Sequence, residues 1–262
     1  GIRGLVRSRG LGDVYKRQIL TSKVISLSKE QRHYESSQPV LGFIGAGNYA
    51  SRTLIPAFKK SKAILDTLVT SGGVSGVHHG SKAGFVKTTT ELDTVWNNEN
   101  INTVIIVTRH NQHASQVLSA IESGKDVFVE KPLALKLDEL EAIDQAFQSV
   151  NKDRKVPLRL MIGFNRRFAP HIIKMKSLLQ IKHEPKVIVI TVNAGLIPGD
   201  HWTQNSEIGG GRIIGEGCHF IDLMRFLIGK PIIAHNSIMI GSVPGIDVRT
   251  DKVTINLSFE DG

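Results

Sequence analysis

Val40-Leu41-Gly42-Phe43-Ile44-Gly45-Ala46-Gly47-Asn48-Tyr49-Ala50 reads as a short apolar strand that feeds a G-x-G-x-x-A turn and opens into a helix. In such a pattern Gly45 makes the tight turn, Gly47 lets the backbone approach a pyrophosphate, and Ala50 keeps the helix close to the strand. Asn48 and Tyr49 lie within the turn. The helix that follows, through Leu54, Ile55 and Phe58, points its first free N–H groups and its dipole at bound phosphates. Tight packing alone also produces glycine-rich strand-to-helix turns, so the nucleotide reading needs support from the rest of the chain.

That support comes from alternation. Ile64 to Thr70, Asn102 to Val107, Asp126 to Val129 and Leu158 to Ile162 are short apolar runs suited to buried parallel strands. Between and after them, Glu91 to Trp96, Gln112 to Ser123, Leu137 to Val150 and Ile172 to Leu179 carry apolar residues at helical spacing, with Gly124 placed as a helix stop. From Pro185 the texture changes. Val187 to Val192, Ile232 to Met239 and Val253 to Phe259 alternate or run β-branched, which predicts a second domain with a more antiparallel sheet. The expected class is α/β, a parallel-sheet domain over residues 39–165 followed by an α/β domain with a mixed or antiparallel sheet over 166–262.

The 262 residues carry a net charge of +9, which raises nucleic acid as a partner. Its distribution argues otherwise. Residues 1–18 hold Arg3, Arg7, Arg9, Lys16 and Arg17 against Asp13 alone, so they supply +4 and leave +5 for the rest. That segment resembles a translated sequencing adapter and reads as a non-native tail. Residues 19–38 are polar and read as a linker, with an upstream domain joined to it. The final run, Val253 to Gly262, looks like a strand entering a turn with no strand after it, so the second domain is expected to be truncated and its sheet edge prone to association. No stretch approaches the roughly 20 apolar residues of a membrane span, and no charged-then-apolar signal pattern appears. With Cys218 the single cysteine, no internal disulfide can form, and a reducing, cytoplasmic setting is expected. His110 and His113, and the adjacent His78 and His79, lack a Cys, Asp or Glu framework, so no metal is expected.

A second signal is Val127-Phe128-Val129-Glu130-Lys131-Pro132-Leu133-Ala134-Leu135, where a buried strand ends in a charged pair and a proline. The carboxyl edge of an open α/β sheet is where such folds bind ligands. Glu130 and Lys131 are either a ligand-facing pair or a surface pair following a strand.

The GAGNYA turn, the EKPLAL run, the GFNRRFAP run from Gly163 to Pro170 and the GGGRIIGEGCHFIDL run from Gly209 occur together and in this order. From about Val40 to Gly262 the chain resembles the Gfo/Idh/MocA oxidoreductases, including the modules found downstream of a zinc-type alcohol dehydrogenase module. The resemblance implies an N-terminal Rossmann domain, a C-terminal α/β domain that supports homo-oligomer contacts, and hydride transfer between nicotinamide and a sugar, polyol or nucleotide-sugar. It makes Lys131 the first catalytic candidate, a cation suited to developing alkoxide charge. His219 stands at the family's histidine position, where an imidazole would shuttle the hydroxyl proton and face substrate. The alternative for His219 is a helix-start residue tied to Asp222. One departure is evident. Many members carry Asp four residues before this histidine, and here that position is Gly215, with Glu216 one step round the helix.

The resemblance also places Glu130, Lys131, Asn165 and Arg166 near the cofactor, with Thr108 and His113 as cofactor-edge contacts. Arg109 stands where proline is common and reads either as a ligand contact or as a solvated loop arginine. Trp202 reads as a sugar-stacking wall or as a packing plug. For NAD, an acidic residue usually follows the second strand by about 20 residues after the glycines. Here Ser71-Gly72-Gly73 occupies that place and Asp66 falls inside the strand, so the cofactor is NAD or NADP. Two function classes follow from the residues. One is an NAD(P)-dependent oxidoreductase acting on a small sugar-like substrate, or one that uses and regenerates its cofactor within a turnover. The other is a regulatory or scaffolding nucleotide-binding module of a larger polypeptide.

Overall fold

A computed structural model describes residues 23–28, 34, 38–181, 184–239, 244–245 and 250–260. The tail read at residues 1–18 lies outside the described residues. The chain divides into two compact units, with the boundary between Val107 and Thr108.

In the first unit five strands lie in the order β1-β4-β3-β2-β5. They are β1 (Val24–Ser26), β2 (Val40–Ile44), β3 (Ile64–Val69), β4 (Lys87–Thr89) and β5 (Thr103–Ile106). Every residue of β2 and β3 is buried, as parallel strands covered on both faces require. β2 pairs in parallel with β3 on one side and β5 on the other, and β3 pairs in parallel with β4. The order β4-β3-β2-β5 is the doubly wound arrangement, and it puts the topological switch point at the carboxyl ends of β2 and β5. Helices α1 (Ile55–Lys60), α2 (Gly73–Ala83) and α3 (Asp93–Trp96) connect the strands. Phe43 of β2 meets the rings of Phe58 and Phe85 edge-on, with centroids 5.8 and 6.0 Å away.

β1 lies within the stretch read as a linker. Val24–Ser26 pairs antiparallel with β4, and Tyr34 donates its hydroxyl to Asp66. Three residues are too few to produce a periodic signal, so the pattern alone did not reveal this strand. Asp66 is buried within β3, where it also accepts from Thr67 Oγ1 at 2.6 Å and Asn98 Nδ2 at 3.1 Å. Its carboxylate is used inside the fold, as its place within the strand implied.

In the second unit β6 (Asp126–Val129) pairs in parallel with β7 (Leu160–Ile162), flanked by α4 (His113–Glu122) and α5 (Leu137–Asn151). Gly124, with φ of +72°, ends α4 where a stop was expected. After α6 (Pro170–Leu179) and α7 (Cys218–Ile228), β8 (Ile232–Met239) pairs antiparallel with β9 (Val253–Phe259). The expected strand at Val187–Val192 does not form. Its alternation survives as an extended run with Val187 and Val189 exposed, but among the described residues no ladder partner fixes it as a strand.

The unit boundary falls inside the stretch read as one Rossmann domain. Long-range bonds explain why residues 108–165 cluster with the later part of the chain. Asn111 N donates to Ile208 O at 3.1 Å, His110 reaches Gly209, and Lys131 reaches Gly215.

Candidate functional site

The glycine turn leaves the carboxyl end of β2 at the switch point. Gly45 has φ of +101°, a conformation that favours glycine, and its N–H donates to Val69 O at 2.9 Å. A Cβ built on Gly47 meets nothing within 4 Å, so its face is open to an approaching phosphate. Gly47, Asn48 and Tyr49 are exposed while Ala50 is fully buried, as a close helix-strand contact demands. The helix begins with a π turn over Ala50–Leu54 before continuing as α1. These residues fit a dinucleotide pyrophosphate. At the end of β3, Ser71, Gly72 and Gly73 are exposed, and Gly72 O accepts from Thr70 Oγ1 at 2.9 Å and Ser75 Oγ at 2.8 Å.

The second unit gathers the chemically active side chains. Lys131 follows β6, joined to Pro132 by a cis peptide bond, and its Nζ donates to Gly215 O at 2.7 Å. Gly215 belongs to a π turn, Ile213–Gly217, that leads into α7, and His219 lies in the first turn of that helix. The His219 pKa is lowered to about 4 by burial and by the neighbouring cations Lys131 and Arg166. Its imidazole is therefore neutral near pH 7, a proton acceptor instead of a group titrating near neutrality.

The helix-start reading of His219 needs Asp222 as its partner. Asp222 does not hold it, because Arg167 takes that carboxylate in a two-pronged contact, with Nε donating to Oδ2 at 2.6 Å and Nη2 to Oδ1. Arg167 also lies over the ring of Phe226, which makes it a half-buried ion-pair partner. His219 Nδ1 is buried and, among the described residues, has no hydrogen-bond partner. Glu216 is not the missing carboxylate either, since it accepts from Arg212 Nη2 at 2.8 Å. Glu130 is buried, its Oε1 has no hydrogen-bond partner among the described residues, and burial pushes its pKa up against the opposing pull of Lys131. Burial also pushes the Cys218 thiol up to about 11, which removes it as a nucleophile.

The 108–113 segment packs onto the loop at 202–210. Thr108 Oγ1 donates to Gln116 Oε1 at 2.8 Å. His113 is fully buried, with Nδ1 2.7 Å from Pro132 O and Nε2 3.2 Å from Thr108 O, so it ties two loops together. His110, given no site role by the sequence, is part of the cluster. Its Nδ1 lies 2.8 Å from Gly209 O and must carry the proton to bond there, which leaves Nε2 as an acceptor. Burial lowers its pKa to about 4, and Lys131 adds to that effect. Trp202 meets the His110 ring edge-on at 4.9 Å, and the Arg109 guanidinium lies 5.9 Å from the Trp202 centroid. Arg166 stacks 4.6 Å over Phe220, and Asn165 starts the short turn that carries it. Among the described residues no cluster of His, Cys, Asp and Glu could hold a metal ion.

Gly209 is the anchor of this arrangement. A Cβ there would sit 2.4 Å from Thr203 Cα and 2.6 Å from Trp202 O, both backbone atoms that cannot swing aside. Gly209→Ala is expected to cost about 1–3 kcal/mol or more in urea unfolding. Gly73→Ala, where a Cβ meets nothing within 4 Å, should change stability by less than about 1 kcal/mol. Equal effects at the two positions would contradict the tight packing at Gly209.

Comparison with known proteins bears on these residues. Residues 40–156 match the oxidoreductase family's NAD-binding Rossmann fold, and residues 176–262 match that family's C-terminal alpha/beta domain. The chain belongs to the Gfo/Idh/MocA family. It is 26% identical over 237 residues to the uncharacterized oxidoreductase YrbE of Bacillus subtilis (strain 168), covering 87% of this chain and 65% of that protein. It is 28% identical over 196 residues to scyllo-inositol 2-dehydrogenase (NAD(+)) from the same organism, covering 74% of this chain and 54% of that protein. Among solved structures, levoglucosan dehydrogenase in complex with NADH and levoglucosan superposes with a TM-score of 0.72 at 22% identity, over 86% of this chain and 65% of that one. This member of the family thus spans less than two thirds of these relatives. Among the described residues no helix is long and apolar enough to cross a membrane.

Proposed function

We propose that this chain is the nucleotide-binding and catalytic part of an NAD(P)-dependent oxidoreductase that transfers a hydride at a hydroxyl or carbonyl carbon of a sugar, polyol or nucleotide-sugar. The observation that carries the reading is the pairing of a cation, Lys131, with a buried neutral imidazole, His219, whose Nδ1 has no hydrogen-bond partner among the described residues. Bound nicotinamide supplies the hydride acceptor or donor. In the oxidative direction His219 accepts the hydroxyl proton, and Lys131 holds the negative charge that develops on the oxygen. Trp202 offers an aromatic wall to the carbon skeleton, while Thr108, Arg109, Glu130 and Asn165 line the cofactor side. A homo-oligomer in the cytoplasm, with residues 39–165 and 166–262 as its domains, completes the proposal. The non-turnover module has no support from the relatives, which are named as dehydrogenases and oxidoreductases.

The test is a panel of inositols, hexoses, anhydrosugars and nucleotide-sugars offered with NAD+ and NADP+, following nicotinamide absorbance. Reduction with at least one compound is expected. Cofactor binding without reduction across the panel would return the regulatory reading to favour.

On the cofactor's phosphate, the exposed Ser71-Gly72-Gly73 stretch has no carboxylate to repel a 2′-phosphate. NADPH is therefore expected to bind at least as tightly as NADH. Ser71→Asp should weaken NADPH by about tenfold relative to NADH, a difference of about 1.4 kcal/mol. An unchanged NADPH to NADH ratio would show that Ser71 does not face the ribose.

A further inference from the structure

We infer that His110 is a specificity-determining residue whose Nε2 accepts a hydrogen bond from a substrate hydroxyl on the carbon next to the one that reacts. The inference rests on the oxidoreductase reading and deepens it, since it asks the substrate for two adjacent oxygens, one reacting and one carrying a proton.

The fold sets the direction of the imidazole. His110 Nδ1 lies 2.8 Å from Gly209 O, a carbonyl that only accepts, so the ring proton sits on Nδ1. Gly209 is packed against the backbone at Trp202 and Thr203, which holds that carbonyl in place. Nε2, on the far side of the ring from this bond, keeps its lone pair and has no proton to donate. His110 is only 8% exposed, and among the described residues nothing donates to Nε2. An acceptor fixed in one tautomer and largely out of water is poorly satisfied until a ligand donates to it. Burial also lowers the pKa of the ring to about 4, so the lone pair remains available near pH 7.

Contacts to a single residue set its position. Lys131 Nζ is 2.7 Å from Gly215 O, and a Cβ built on Gly215 would lie 3.1 Å from His110 Cε1, the ring carbon bonded to both nitrogens. The ammonium and the imidazole therefore meet the same residue, one at its carbonyl and the other beside its Cα. Trp202 adjoins them, with its ring centroid 4.9 Å from that of His110 and the planes at 72°. A substrate oxygen held at Lys131, with its carbon skeleton along Trp202, brings the neighbouring oxygen toward His110. Other acceptors nearby are engaged. Both nitrogens of His113 face carbonyls, those of Pro132 and Thr108, while Glu216 and Asp222 are paired with Arg212 and Arg167. A carbonyl, ether or carboxylate oxygen at the neighbouring carbon would set acceptor against acceptor, so the site selects a hydroxyl there.

Asparagine and glutamine separate the two ring nitrogens. Asparagine carries an amide nitrogen near the place of Nδ1 and keeps a donor for Gly209 O, with nothing at the place of Nε2. Glutamine reaches the place of Nε2 with an amide oxygen and gives up the bond to Gly209. The test follows oxidation of D-glucose, D-xylose and myo-inositol, and of their singly deoxygenated forms, by the intact protein with saturating NAD+ or NADP+, the reacting carbon being identified from the product. In the unaltered protein, removing the hydroxyl beside that carbon is expected to lower kcat/KM at least about tenfold. In His110→Asn the ratio of parent to deoxy compound should fall to within about twofold of one, and in His110→Gln most of it should persist although the protein is less stable. A ratio near one in the unaltered protein, a ratio that survives in His110→Asn or a ratio that is lost in folded His110→Gln would each overturn the inference. The unaltered protein and His110→Gln decide the matter even if His110→Asn does not fold. Oxidation of none of the compounds by the unaltered protein would overturn the oxidoreductase reading, and this inference with it.

Discussion

Replacing Lys131 by alanine is expected to lower kcat/KM by about 10²–10⁴-fold, or about 3–5 kcal/mol of transition-state stabilisation, with little change in stability. The reason is geometric as well as electrostatic. Nζ is held 2.7 Å from Gly215 O, so the ammonium is already oriented and the reaction does not have to order it. Lys131→Arg should not restore the rate, because a planar fork cannot reproduce a compact ammonium in that position. The check is steady-state kinetics on whichever substrate is turned over, alongside cofactor titration. Cofactor affinity should stay within a few-fold of the original while turnover collapses. Collapse of both together, with an unchanged unfolding midpoint, would make Lys131 a binding residue and not a catalytic one.

The second large effect belongs to His219. His219→Gln is expected to reduce kcat/KM by about 10²–10⁴-fold, the range for loss of a positioned general base. The pH profile separates this from a packing defect. The imidazole's pKa is depressed to about 4, so its basic form is present above that value and is lost as pH falls through it. For alcohol oxidation by the free enzyme, the acid limb of kcat/KM should therefore lie near 4 and not near the usual histidine value of about 6.5. In His219→Gln that limb should disappear. A limb near 6.5 that persists in the variant would show that another group carries the proton.

The parts of this molecule that were legible in its sequence are those whose cause is local. The Gly45–Ala50 turn, the buried runs of β2 and β3, and the glycine stop at Gly124 each follow from a few adjacent residues, and each stands where the pattern put it. Lys131 and His219 were identified by resemblance, and the contact of Lys131 with Gly215, four residues before His219, brings the two motifs together. What stayed hidden depends on partners far along the chain. The role of His110 stayed hidden because its anchor, Gly209, is 99 positions away. Nothing near Arg167 in the sequence points to its partner Asp222, which lies 55 positions on. The burial of His113 depends on Pro132, whose carbonyl lies 2.7 Å from its Nδ1 and 19 positions along the chain. Val187–Val192 carries strand-like alternation without a ladder, since a period of two shows which side chains face inward and cannot supply a neighbouring strand.

Gly215 illustrates the same limit. The sequence shows that a carboxylate is missing. The fold adds that a Cβ at this position would lie 3.1 Å from His110 Cε1, a tight contact to which the imidazole must yield by a few tenths of an ångström.

The most direct test of the central claim is a titration of the folded protein with NADH and NADPH, following nicotinamide fluorescence and confirming cooperative unfolding on the same sample. Saturable binding of at least one of the two, with NADPH no weaker than NADH, is the predicted result. Binding of neither by a protein that unfolds cooperatively would contradict the account, because the open glycine turn at Gly45–Ala50 would then be packing alone.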